Sequence, residues 1–297
     1  MKTAILTDSA SYLTPMEAAA MNVKMLPITV IFGEEQYLEN VSITAPDFYQ
    51  RLHQETKLPT TAQITMHQMQ TAFDELTAAG YDEVICINLS SGITTFFENL
   101  SRYAQTVTTI KVYPFDSLIA SAGEADLVRY AQSLVDQGEH ASTIMPKLTA
   151  LRATLGVDFA VDNLKHLLRT GRVSNASAFL GGLLQVKPIL QFDQAGKIVA
   201  VAKERTMRRA LQHALQDLTA AQTAADYPLQ VTVIDGNAPE TSTQWQAQVA
   251  QAFPQMRVLT SHIGPTIGVH TGEGVMGLLW SRDWRTEAAS LGQEAEA

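Results

Sequence analysis

The sequence predicts an α/β protein of two α/β domains. The first has a mostly parallel, Rossmann-like sheet flanked by helices, and the second is a smaller mixed-sheet α/β domain. Three observations carry this reading. Short apolar strand-like runs alternate with helix-like runs from the first residue. Polar pairs and hydroxyl clusters follow the strands. A chain of 297 residues has the length of two ordinary domains.

The first domain is assigned to residues 1–155. Residues 3–7 read as a short buried strand. Thr14, Pro15 and Glu17 then supply a capping hydroxyl, a proline at the first helical position and a Glu three residues after the cap. Residues 23–32 are strand-rich, and Thr44 with Pro46 repeats the helix-start pattern. Residues 65–79 read as a helix stopped by Gly80. Residues 84–89 form another buried strand, followed by Ser90-Ser91-Gly92 and a helix. Residues 109–115 are a third strand, closed by Asp116-Ser117, and residues 142–154 are a helix.

The second domain is assigned to residues 156–283. Residues 186–192 and 197–203 read as a hairpin around Asp193-Gln194-Ala195-Gly196. A helix over 206–221 and strands at 229–234 and 275–280 follow. Residues 284–297 are an acidic, small-residue tail expected to fray.

Composition narrows the function. A balance of 46% hydrophobic and 17% charged residues is that of a globular protein. The net charge of -9, relieved only around Arg205, Arg208 and Arg209, argues against nucleic acid and against anionic lipid surfaces. The single cysteine, Cys86, allows no internal disulfide and points to a reducing compartment. The apolar start is too short for a signal peptide and is broken by Asp8, and no run approaches a membrane span. The expectation is a cytoplasmic monomer without stable membrane insertion.

In parallel sheets, ligands sit where strands end. Asp8-Ser9, Ser90-Ser91 and Asp116-Ser117 lie there, although each pair also reads as a plain turn. Residues 58–63 place Thr60, Thr61 and Gln63 in a short loop. Ser90, Ser91, Thr94 and Thr95 put four hydroxyls at a strand-to-helix turn, suited to an anionic group or simply to helix capping. From Gly264 to Gly274, four glycines surround His270. Such a stretch lets backbone approach a ligand while the imidazole donates a hydrogen bond, or it is a tight loop around a core histidine. Its glycine spacing is not a dinucleotide fingerprint.

No metal site is expected, because the seven histidines are scattered and none has zinc-ligand spacing with Cys86. No nucleophile elbow or P-loop occurs. Two enzymatic readings stay open: Ser91, His270 and Asp8 as a hydrolytic trio, and Asp8 with Asp116 as carboxylates for Mg²⁺.

Taken in order, the motifs resemble the DegV family of bacterial fatty acid-binding proteins over residues 3–281. The matching segments are Asp8-Ser9, Thr61-Ala62-Gln63-Ile64, Ser90 to Phe96, Asp116-Ser117, Gly171 to Ser174 with Lys187 to Leu190, and Gly264 to Gly274. Ala62 stands where the family has serine, Ile64 where it has proline, and Thr95 and Phe96 where it has glycine and threonine. The added bulk is expected to rearrange the carboxylate donors.

The resemblance implies a long-chain fatty acid held between the two domains and no other cofactor. Thr61, Thr94 and His270 would bind its carboxylate. Asp8, Ser9, Gln63, Ser90, Ser91, Thr95, Asp116 and Ser117 would support the site loops. Ala178, Phe179 and Gly182 would line the acyl chain. The protein would be a carrier rather than an enzyme, presenting the carboxylate to a separate fatty acid kinase for acyl-phosphate formation in phospholipid metabolism. Arg172 and Arg205 would lie near that partner. The alternatives are a small-molecule phosphotransferase or hydrolase, and a lipid-responsive regulatory adaptor.

Overall fold

The computed structural model describes residues 1–162, 164–174 and 186–286. Ala178, Phe179, Gly182 and the end of the acidic tail lie outside these described residues.

The N-terminal part runs β1 (Thr3–Asp8), α1 (Pro15–Ala20), β2 (Lys24–Leu26), β3 (Thr29–Phe32), β4 (Glu35–Leu38), α2 (Ala45–Leu52), β5 (Thr60–Ala62), α3 (Met66–Ala78), β6 (Glu83–Asn88), α4 (Phe96–Ala104), β7 (Lys111–Asp116), α5 (Ala122–Asp136) and α6 (Ala141–Arg152). Capping boxes start α1 at Thr14 and Glu17, α2 at Thr44 and Asp47, and α3 at Thr65 and Gln68. The central strands are parallel, in the order β2-β1-β6-β7. β1 and β6 are buried at every position, as expected for strands covered on both faces. This is the parallel sheet the sequence predicts.

A second small sheet, β4-β3-β5, is antiparallel and was not foreseen. It pairs Val30 with Thr61 and so fixes the Thr61 loop on a strand.

The rest of the chain runs β8 (Gly156–Ala160), α7 (Lys165–Thr170), β9 (Lys187–Phe192), β10 (Ile198–Glu204), α8 (Met207–Ala224), β11 (Leu229–Asp235), α9 (Pro239–Ala252), β12 (Arg257–His262), α10 (Pro265–Thr271) and β13 (Met276–Arg282). Its sheet is mixed, in the order β10-β9-β8-β13-β11-β12. β9 and β10 form the expected antiparallel hairpin. β11 and β12 are parallel, joined across α9.

The stretch read as a tight glycine loop is instead the helix α10. Pro265 opens it, and Gly272, at φ 73°, ends it. Its internal Gly268 is a packing residue. A Cβ there would meet Phe48 Cε1 at 2.7 Å and the Tyr49 hydroxyl at 3.1 Å, so α10 can lie directly on α2. Among the described residues no helix is long and apolar enough to cross a membrane.

Candidate functional site

A cavity of about 520 Å³ lies between the strand ends of the parallel sheet and the inner face of the mixed sheet. That volume is in the range of small-ligand sites. Its polar residues come from separate elements: Thr61 and Gln63 around β5, Ser91, Thr94 and Thr95 in the turn before α4, Arg172 after α7, and Thr266 and His270 on α10. Its apolar wall comes from Val157 and Phe159 of β8, Phe192 of β9, Ile198 of β10, Ile234 of β11 and Leu279 of β13. Cavity residues Ile64 and Phe96, two of the departures from the family pattern, are both buried.

Thr61, Thr94 and His270, far apart in sequence, therefore share one cavity. The Thr61 hydroxyl lies 3.1 Å from His270 Nε2. The other imidazole nitrogen, Nδ1, is buried and has no hydrogen-bond partner among the described residues. Burial, helped by the charges of Arg172 and Arg169 and by His166, pushes the His270 pKa down to about 4. The imidazole is therefore neutral at pH 7 and can serve as a single hydrogen-bond donor or acceptor. The Thr94 hydroxyl accepts from the Phe96 amide at 3.3 Å, and the Thr95 hydroxyl donates to Gln63 Oε1 at 3.5 Å.

Two residues overlooked in the sequence hold α10 in place. Glu39 is buried and accepts from the Thr266 amide (2.8 Å), the Thr266 hydroxyl (2.6 Å) and the Ser9 hydroxyl (2.5 Å). Tyr12 accepts from the Ile267 amide at 2.9 Å and donates to the Gly264 carbonyl at 3.1 Å. Together they satisfy first-turn amides of α10 that have no partner inside the helix. Burial raises the Glu39 pKa to about 7, against the lowering effect of its hydrogen bonds. Neither residue carried a sequence signal, because both act over long range.

The remaining expected residues divide into cavity lining and loop support. Asp8, Gln63, Ser91 and Thr95 line the cavity. Ser90 is fully buried and donates to the Gly196 carbonyl at 2.7 Å, tying the first hydroxyl turn to the β9–β10 hairpin. Ser117 donates to the Ile119 carbonyl at 2.9 Å. Asp116 accepts from the amides of Ser91 (3.0 Å) and Leu118 (3.1 Å). Arg172 lines the cavity, whereas Arg205 is exposed beyond β10 and does not line it.

The geometry disfavours the two enzymatic arrangements. Asp8 is buried, with Oδ1 accepting from the Ala10 amide (3.0 Å) and Oδ2 from the Leu89 amide (3.0 Å) and Asn88 (3.2 Å). Burial raises its pKa. Glu124 beside it is held well above the usual carboxylate range, first by burial and then by the Asp8 charge. Asp8 thus organises a loop, and no hydrogen bond joins it to His270 as a hydrolytic trio with Ser91 would need. Nor do Asp8 and Asp116 join a three-donor metal cluster. The one such cluster among the described residues is elsewhere, at Asp158, His213 and Asp217.

The family model described as "Uncharacterised protein, DegV family" matches residues 2–283. A DegV domain-containing protein of Halalkalibacterium halodurans is 36% identical over 279 residues, covering 94% of this chain and 98% of that one. The crystal structure of DegV, a fatty acid binding protein from Bacillus subtilis, superposes with a TM-score of 0.87 at 33% identity, covering 95% of this chain and all of that one (100%). The fatty acid binding DegV family protein of Streptococcus agalactiae superposes with a TM-score of 0.88 at 28% identity, over 95% and 99% of the two chains. By sequence, by fold and by the order of its motifs, this chain belongs to the DegV family.

Proposed function

We propose that this protein binds one long-chain fatty acid in the cavity between residues 1–155 and 156–283, as a cytoplasmic monomer. The observation that carries the reading is the cavity itself, with the Thr61–His270 pair and Thr94 on an otherwise largely apolar lining. The carboxylate accepts hydrogen bonds from Thr61, Thr94 and neutral His270. The acyl chain lies along Phe159, Phe192, Ile198 and Leu279. The described fatty acid binding of the Bacillus subtilis and Streptococcus agalactiae relatives supports the same ligand class.

Energetics divides the roles. Burying about sixteen carbons contributes on the order of ten kcal/mol gross, at roughly 0.8 kcal/mol per CH₂. Association entropy offsets much of this. Each hydrogen bond to the carboxylate adds about 1.5–3 kcal/mol. The tail sets affinity and the hydroxyl–imidazole group sets orientation. The protein then acts as a carrier, presenting the carboxylate to a separate fatty acid kinase that forms the acyl phosphate, with Arg172 and Arg205 toward that partner.

Competition against a fluorescent fatty acid tests the ligand class. A sixteen- or eighteen-carbon acid is expected to displace the probe, and its methyl ester to compete at least about tenfold less well, in line with one lost charged hydrogen bond. Equal competition by the ester, or no probe binding, would overturn the reading. Incubating the loaded protein with ATP and a fatty acid kinase tests the carrier role. Acyl phosphate is expected only with the kinase present.

A further inference from the structure

We propose that Asp158, His213 and Asp217 bind one divalent transition-metal ion, of the zinc or manganese class, on the outer face of the cavity wall. One potential ligand atom from each residue lies within 4.8 Å of the other two. Two elements build the cluster. His213 and Asp217 are four residues apart on α8 and so project from one helix face. On β8, Val157 and Phe159 line the cavity. Strand alternation turns the intervening Asp158 to the opposite face, where α8 packs.

A second observation also points to a cation. Asp158 is 1% exposed, and its Oδ2 has no hydrogen-bond partner among the described residues. Its Oδ1 accepts from Gln191 Nε2 at 2.7 Å, and the same amide group reaches Asp217 Oδ2 at 3.3 Å. Two carboxylates thus share one neutral donor, and a bare carboxylate oxygen remains in the interior. Such an oxygen calls for a proton or a cation.

The imidazole is oriented for the cation. Glu204 Oε1 lies 3.8 Å from His213 Nδ1, while Nε2 faces Asp217 Oδ2 at 3.9 Å. Metal-bound histidines commonly donate their other ring N–H to a carboxylate, and Glu204 stands on that side of the ring, a small rotation away from hydrogen-bond distance. Metal–ligand bonds of about 2.0–2.2 Å require the three atoms to draw closer. The Asp217 side chain, 41% exposed, has room to rotate inward. An imidazole with two carboxylates suits zinc or manganese better than calcium or magnesium, which favour all-oxygen sets. The bound ion would fasten α8 to β8 behind Val157 and Phe159.

The test uses untagged full-length protein stripped with a chelator, then dialysed against Zn²⁺, Mn²⁺ or Mg²⁺ alone. Metal content is read by elemental analysis, and thermal unfolding is recorded in parallel. One Zn²⁺ or Mn²⁺ per chain is expected, with a raised melting temperature and no matching effect of Mg²⁺. His213→Ala and Asp217→Ala, both at partly exposed positions, are each expected to fold, to weaken binding about 100-fold or more and to lose the thermal shift. Absence of retained Zn²⁺ and Mn²⁺ from wild-type protein would overturn the proposal. So would either variant retaining the ion as the wild type does.

Discussion

The Thr61 hydroxyl and His270 Nε2, 209 residues apart in sequence, meet at 3.1 Å in the cavity. A three-residue edge strand of the small antiparallel sheet carries one, and a helix capped by Glu39 and Tyr12 carries the other. Thr61→Val keeps the shape and removes the hydroxyl. It is expected to weaken fatty acid binding about tenfold while leaving the melting temperature within a few degrees of wild type. Titration of both proteins with a long-chain acid checks this, and equal affinities would remove Thr61 from the site.

His270 has a pH signature of its own. Its folded pKa is about 4, against the ordinary 6.5. As pH falls from 6.5 to 4, the unfolded chain takes up a proton that the folded chain refuses. Folding stability therefore drops across this window, by at most about 3 kcal/mol from this residue. His270→Gln should flatten that part of the profile, as measured by denaturant unfolding at half-unit pH steps.

Glu39 works in the opposite sense. Burial raises its folded pKa from 4.5 to about 7. Between these values the folded chain holds a proton that the unfolded chain has lost. Its contribution is therefore fully present below pH 4.5 and lost as pH rises toward 7, by about 3 kcal/mol. In Glu39→Gln this loss disappears, so the variant's stability relative to wild type should improve steadily from pH 4.5 to 7.5. A constant difference across that range would contradict the buried, titrating Glu39.

Gly92 touches the hairpin turn of the mixed sheet. A Cβ there would stand 2.2 Å from the Gly196 carbonyl carbon and oxygen and 2.5 Å from the Lys197 amide nitrogen. Backbone has to give way, so Gly92→Ala should destabilise by about 2–3 kcal/mol and loosen the cavity. Gly138, at φ 86°, has nothing within 4 Å of an added Cβ. Gly138→Ala carries only backbone strain and should cost about 1 kcal/mol. Equal losses from the two substitutions would show that the Gly92 contact is not tight.

Local patterns made much of this legible. The Thr14–Glu17 capping box, the buried β1 and β6 with their apolar centres and the β9–β10 hairpin are encoded in adjacent residues, and the structure has each. Of the small sheet, β3 falls in the strand-rich stretch 23–32, but β4 and β5 were not legible, because three- and four-residue strands with exposed positions leave no periodic signal. The helix bearing His270 was masked by its glycines, which suggested a loop, although Pro265 and Gly272 stood at its ends. Glu39 sits in a polar stretch and becomes a buried cap only when Thr266 arrives from 227 residues away. His213 and Asp217 stand four residues apart in the sequence, but Asp158, the third member of their cluster, is on a distant strand and could not be joined to them.

The most direct measurement is native mass spectrometry of protein freshly purified from a bacterial host, followed by solvent extraction and analysis of the released lipid. One long-chain fatty acid per chain is expected in the wild type, with occupancy sharply reduced in Thr61→Val and His270→Ala variants that remain folded. A chain that carries no fatty acid and takes up none when it is supplied would contradict the account.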